Sequence, residues 1–407
     1  MTETSVIKQR ALSRVVKRKN AVTALAALIV ALGSIRCGAD GDAPSPATAF
    51  GDGGGGASCE CGAPSAVVDA ADPRCRTMPV LLTTHPHAVE QDAATVGQNL
   101  VDTRGWNGRV YFGYGDINYN TGPIVISSYD PVANDWKDHL TFNTEQIERF
   151  RVIGDHLWAP ATDPHGVADP EYATGSAQHE WSEVSIGRSI KIGDVVERAP
   201  GDVYLVGDDY YTSDAGTFDN TFGGTVWRSQ DGGPFDRVFP IINPNAFTDY
   251  QYIDINEVPF LNAAALNGTL YTASIATPWT FDGKQWARGP QLGGFLHPMT
   301  FANHIVFAAL GELWAFDGTH RKNLGIPLFD TTLTYVFVSD PLVVANDTEG
   351  RLLVVDAKGE TLMTTDLVTW QCVGQAPPDV RSVGSLNGKI IFGGAGGRVY
   401  GFAEPSW

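Results

Sequence analysis

The chain repeats itself, and the repeat restricts its fold more than any single motif does. An apolar strand runs into a Gly or Asn-Gly turn and a second apolar strand follows, as in "WNGRVYFGYG" at 106, "IGDHLWAPA" at 153, "PGDVYLVGD" at 200, "LNGTLYTAS" at 266, "ANHIVFAAL" at 302 and "LNGKIIFGG" at 386. Asn-Gly supplies the positive φ that tight hairpins need, and the strands after it are rich in β-branched and aromatic residues. A third strand ending near an aspartate recurs as well, in "IVISSYDP" at 124, "TVWRSQDG" at 225, "PWTFDG" at 278, "ELWAFDG" at 312 and "LLVVDAKG" at 352, before a fourth that often carries Trp or Phe. With 45 glycines and 24 prolines in 407 residues, the composition suits many short strands and tight turns.

Units begin near residues 98, 146, 195, 261, 297, 334 and 380. Their spacing of about 35 to 60 residues is that of four-stranded sheets set around an axis rather than of solenoid turns. An all-β, seven-bladed β-propeller over residues 79–407 is therefore expected, with six blades and a loose extra sheet as the runner-up. The last unit stops at Trp407 after three strands. A ring closed on an incomplete sheet would expose an edge, so the missing strand must come from elsewhere, and "PVLLTTHP" at 79–86 is the natural donor.

Over this span the chain resembles the kelch and sialidase-like β-propellers. "SQDGGPF" at 229 looks like the Asp-box turn of sialidases through Ser229, Asp231 and Gly233, and "TTDLVTW" at 364 matches more loosely through Thr364, Asp366 and Trp370. In that family the box is structural, so it implies blades and no catalysis. The resemblance also implies three arginines converging on a substrate carboxylate. Here "FRVIG" offers Arg151 without the expected proline, and the long connections contain no arginine. No Ser or Cys elbow accompanies the histidines, so no catalytic constellation emerges.

Blades four to seven join their second and third strands through a few residues, whereas the first three do not. Their connections run from Asp116 to Pro123, Thr162 to His179 and Asp208 to Gly224. Equivalent connections emerge on one side of a ring, so these crowd one sector of its rim, where binding residues on a rigid scaffold tend to sit. Candidate ligand-binding residues are Asp116, Asn118, Asn120, Asp163, His165, Asp208, Asp209, Tyr210, Tyr211 and Asp214. Asp116-x-Asn118-x-Asn120 places oxygens at alternate positions, which suits calcium. It departs from an EF-hand, because the glycine is Gly122 and the twelfth position is Ser127. The competing reading is that these side chains cap their own turns. His165 and His179 stand as metal-ligand candidates beside Asp163, and the tyrosines offer flat faces to a sugar or a protein.

Residues 21–35, "AVTALAALIVALGSI", form a 15-residue apolar run behind six basic residues, the make-up of a signal peptide and short of the ~20 residues a membrane span needs. Cys37 follows one residue later and opens a Gly-, Ala- and Pro-rich stretch that cannot pack a core. This start resembles that of bacterial lipoproteins, although Arg36 stands where a small residue is expected. It implies an acylated Cys37, with residues 1–36 as signal or anchor and 37–78 as tether, and a body outside the cytoplasm. Of the formal charge of -18, residues 1–36 contribute seven basic groups against Glu3, so the remainder carries -24, a poor surface for nucleic acid. Apart from Cys37 there are four cysteines, Cys59, Cys61, Cys75 and Cys372, an even number suited to an oxidising compartment. A bridge from Cys75 to Cys372 would clip the leading segment to the penultimate blade; buried free thiols are the alternative.

These features together point to a monomeric, membrane-anchored recognition module whose partner is an extracellular protein or glycan. A secreted glycan hydrolase or lyase and a structural envelope protein are the alternatives.

Overall fold

The computed structural model describes residues 73–92, 96–116, 121–164, 171–186, 189–212, 218–239, 262–273, 278–309, 311–328, 344–346 and 350–402. Residues 1–72, which include the expected signal, Cys37 and all but the last six residues of the expected tether, lie outside this description, as do Asn118, Asn120, His165 and Asp214. Among the described residues no helix is long and apolar enough to cross a membrane.

Among the described residues seven antiparallel four-stranded sheets and one two-stranded ribbon make up the fold, and the chain is a seven-bladed β-propeller. Blade one comprises Asp102–Trp106, Arg109–Gly113, Ile124–Asp130 and Asp135–Phe142, and blade two Arg151–Ile153, His156–Pro160, Tyr172–Gly175 and Trp181–Val184. Blade three is built of Ser189–Ala199, Asp202–Thr212, Phe218–Gln230 and Asp236–Phe239, and blade four of Asn262–Leu266, Thr269–Ala273, Trp279–Phe281 and Trp286–Arg288. Blade five holds Leu296–Phe301, His304–Ala309, Glu312–Phe316 and Arg321–Pro327; blade six holds Val344–Asn346, Leu352–Val355, Glu360–Thr364 and Gln371–Gln375. Blade seven takes Val380–Leu386, Lys389–Gly394 and Arg398–Gly401 from the end of the chain and its fourth strand, Val80–Thr84, from the beginning. The register of that closing pair is Val80 opposite Gly401, Leu81 opposite Tyr400, Thr83 opposite Val399 and Thr84 opposite Arg398.

Strand period explains why these sequences form blades. Successive side chains point to opposite faces, and in a ring both faces of every sheet are covered, so a middle strand can be apolar throughout. In "VYLV" of blade three, Val203 and Leu205 pack toward Tyr172 of blade two, while Tyr204 and Val206 pack toward Ala263, Leu270 and Phe281 of blade four. Further apolar clusters join blade four to five, five to six and six to seven, and one continuous cluster runs from blade seven through blade one to blade two. Asn107-Gly108, Asn267-Gly268 and Asn387-Gly388 all turn with both φ positive, as the hairpin reading requires.

The seam between the last and first blades is tight. A Cβ on Gly105 would lie 1.8 Å from the carbonyl oxygen of Ser385 in blade seven. Beside it the hydroxyls of Thr103 and Ser382 are 2.6 Å apart. Three further ties hold the closing segment. Cys75 is disulfide-bonded to Cys372 on the fourth strand of blade six, across 297 residues of sequence. The amide of Gln375 donates to Thr77 O at 2.8 Å. On the other side, fully buried His85 packs against Trp136 and Tyr114 of blade one. Its Nδ1 accepts from the backbone N–H of Ala88, so the neutral ring donates from Nε2 to Ser127 Oγ, 3.1 Å away. Burial, with a smaller contribution from His87, holds its pKa down to about 3.

Two sequence expectations are corrected. "LLVVDAKG" at 352 forms the second strand of blade six rather than the third, because Glu360–Thr364 pairs outside it. In blade three the stretch from Asp208 to Gly224 is largely strand. Asp208 pairs with Gly224, Asp209 with Gly223 and Tyr210 with Phe222, so the hairpin continues past the level at which the other blades turn. Cross-strand pairing of residues that favour strands, such as Tyr210 and Phe222, outweighs the loop-like Asp, Asn and Gly content.

Candidate functional site

Strands alternate in direction within a blade, so the second-to-third connection and the passage to the next blade emerge at the same edge of the ring. At this edge the connections of blades one and two are knit together. Thr144–Gln146, in the passage from blade one to blade two, pairs with Thr162–Pro164 in the connection of blade two, Thr144 opposite Pro164 and Gln146 opposite Thr162. Gly115 bridges to Gln146. The backbone N–H of Asp116 and the hydroxyl of Thr121 both donate to Glu145 O, at 3.2 and 2.8 Å. The amide of Ile192 donates to Ala161 O at 3.0 Å, extending the network to blade three. These bonds turn two sequence loops into a fixed platform, beside which the blade-three hairpin stands.

The candidate residues fare differently. Asp116 is buried, and its Oδ2 accepts the backbone N–H of Val96 at 3.1 Å, so it ties this connection to the segment that leads into blade one. Asp163 lies on the two-stranded ribbon, and Asp208, Asp209, Tyr210 and Tyr211 on the blade-three strands; for these five the backbone alone is described. His179 does not join Asp163. It occupies the third-to-fourth turn of blade two, at the opposite edge, where its Nδ1 is 2.6 Å from the Tyr111 hydroxyl. Glu171, fully buried, accepts the amide of Ile186 at 2.7 Å. Among the described residues no three His, Cys, Asp or Glu side chains gather as a metal site. The two turns that resemble Asp boxes are held by local bonds: Ser229 Oγ donates to Gly233 O at 2.6 Å, and Asp366 Oδ1 accepts the amides of Val368 and Thr369 at 2.8 and 2.7 Å. Asp130, Asp282 and Asp317 cap the corresponding turns of blades one, four and five in the same way.

Behind the platform, where the first strands of the blades meet, lies a polar cluster that sequence reasoning missed. Arg149 Nη1 donates to Asp194 Oδ2 at 3.0 Å, while Arg151 donates from Nε to Oδ1 at 2.8 Å and from Nη2 to Oδ2 at 2.7 Å. Arg149 also reaches Asn262 Oδ1 at 3.3 Å and His297 Nδ1 at 3.4 Å, and Arg151 reaches Pro298 O at 3.1 Å. Side chains of blade two thus contact blades three, four and five. Burial alone would raise the Asp194 carboxyl, but the guanidiniums of Arg151 and Arg149 hold it below the usual carboxylate range. Burial, then the same two positive charges, bring His297 down to about 3. Asp102, on the first strand of blade one, accepts the amide of Phe150 at 2.6 Å. Burial raises its carboxyl against the opposing pull of Arg104, Arg151 and Arg149. The available signal was charged residues within the first strand of a blade, as Asp102 and Arg104 in "DTRGW" and Asp194 in "KIGDVV".

No family model matches the chain, and no curated protein matches it. Solved β-propellers do resemble it. YCF48 bound to D1 peptide shows 12% identity over 80% of this chain and 96% of that one, with a TM-score of 0.45. The Pan2 WD40 domain of Neurospora crassa shows 9% identity over 81% and 95%, at 0.44, and the computationally designed Ika8 protein 12% over 81% and 99%, at 0.44. At these scores the likeness adds nothing to the seven sheets the chain itself displays.

Proposed function

We propose that the chain is an exported, lipid-anchored recognition module that binds an extracellular protein or glycan at the rim of blades one to three. The carrying observation is the asymmetry of that rim. Blade three has strands of 11, 11 and 13 residues where blade two has strands of 3 to 5, and the ribbon beside it fixes the neighbouring connections. A platform held by backbone hydrogen bonds beside an extended blade-three strand pair presents a surface that needs little ordering when a partner binds. Export rests on the apolar run behind six basic residues, and anchoring on Cys37 and the stretch that follows it.

The test replaces residues 210–222 by Asn-Gly and compares both proteins on glycan and peptide arrays. The reading expects an unchanged melting temperature with loss of the wild-type signal. Equal binding by the trimmed protein would move the site elsewhere, and release of products from a polysaccharide panel would favour the hydrolase or lyase alternative.

A further inference from the structure

The large apolar side chains that stay exposed among the described residues gather at the edge of the ring opposite the platform; Val89, which packs beside Gly397 in the second-to-third connection of blade seven, is the exception. Val132 and Val368 stand in the third-to-fourth turns of blades one and six, 82% and 61% exposed. Between them lies blade seven, whose fourth strand is entered at the same edge through Met78, Val80 and Leu81, exposed by 57%, 47% and 55%. Folding does not ask for valine in these turns. In each, an aspartate accepts the amide two residues on, Asp130 that of Val132 and Asp366 that of Val368. The same position after Asp282, Asp317 and Ser176, in the capped turns of blades four, five and two, holds Lys284, Thr319 and Gln178. The outer strand of blade seven departs from its counterparts as well. Those of blades one to five each hold at least one charged residue, which blunts a sheet edge against unwanted pairing, whereas Val80–Thr84 holds none.

Apolar points on three successive blades fit a broad, yielding surface better than a single peptide, and the path of the chain indicates which surface. It joins the ring at this place, since Cys75 is bonded to Cys372, four residues beyond Val368 and second in the outer strand of blade six. Arg74 and Arg76, both exposed, put positive charge at the point of entry, which suits anionic headgroups. Residues 38–72, 35 in number, separate Pro73 from Cys37. A lipid at Cys37 would hold this edge near the bilayer at an effective concentration on the order of millimolar, so a few exposed side chains suffice to keep it there.

We infer that the edge formed by blades six, seven and one docks on the anionic bilayer that carries the anchor, with Met78, Val80, Leu81, Val132 and Val368 entering the headgroup layer. The inference rests on the anchoring part of the proposed function and deepens it: with this edge down, the platform and the blade-three hairpin, at the opposite edge, face away from the membrane.

The full chain is placed on vesicles of phosphatidylethanolamine and phosphatidylglycerol, flotation reads whether it is held, and amide exchange is followed by mass spectrometry. Leu81→Asp should speed exchange of residues 131–134 by about threefold or more relative to wild type on the same vesicles. Val132→Thr/Val368→Thr installs the residue that the blade-five turn already carries, which spares the fold, and should speed exchange of residues 80–82 likewise. Thr162–Pro164, at the opposite edge, should exchange equally in all three proteins. A chain that does not float overturns anchoring and docking together. A chain that floats, while residues 131–134 and 80–82 exchange alike in wild type and both variants, overturns docking alone. Protection that rises with the protein-to-lipid ratio would mean that a second copy covers this edge, and overturns it as well.

Discussion

The disulfide between Cys75 and Cys372 is the covalent form of ring closure, and its removal has a calculable effect. It spans 297 residues, so it constrains nearly the whole folded ring in the unfolded state. Loop-closure entropy for a loop of that length corresponds to about 6 kcal/mol at 25 °C. Hydrogen bonds from Gln375 to Thr77 O and to Cys75 O, both 2.8 Å, persist without the bridge, so the reduced chain should still close in the folded state. The loss is therefore expected as a lower denaturation midpoint with the same fold. The perturbation is reduction of wild type, with Cys75→Ala/Cys372→Ala as a second arm that cannot reoxidise. Guanidinium unfolding followed by tryptophan fluorescence reads it. Midpoints that coincide for oxidised and reduced wild type would refute the reasoning, because a closed loop of that length cannot open without an entropic consequence.

Three other outcomes follow from named contacts. His85 and His297 are held down to about 3, while the unfolded chain takes up protons near about 6.5. Stability is therefore full above that value and falls as pH drops toward 4, and His85→Asn should flatten the fall in melting temperature over that range. Gly105→Ala drives a methyl into the Ser385 carbonyl and should cost about 3 kcal/mol in chemical denaturation, an overpacking effect on backbone that cannot yield. Asp194→Ala leaves two guanidiniums without their shared carboxylate and should cost about 3–5 kcal/mol by the same assay.

What the sequence made legible was local. Asn-Gly turns and runs such as "VYLV" announce a hairpin covered on both faces, and repeated seven times they announce a ring with a missing strand that Val80–Thr84 supplies. Strands of three residues carry no readable period, so Thr162–Pro164 reads as part of a connection and its pairing with Thr144–Gln146 leaves no trace in the sequence. The blade-three extension was read as loop for a related reason: its Asp, Asn and Gly content signals turns, and only pairing with a neighbour makes it strand. The axial cluster joins residues 43 to 148 positions apart, and no spacing rule brings Arg149 to His297. In the same way Asp116 offered the ligand pattern of a cation loop, while its carboxylate serves the amide of Val96.

Amide hydrogen exchange across Val80–Thr84, set beside Arg398–Gly401, bears most directly on the claim that the leading segment completes the seventh sheet. Protection at Val80–Thr84 comparable to that of its partner strand, and lost together with it under mild denaturant, is the predicted result. Exchange at the rate of an open chain in Val80–Thr84 while Arg398–Gly401 stays protected would mean that the ring is sealed some other way.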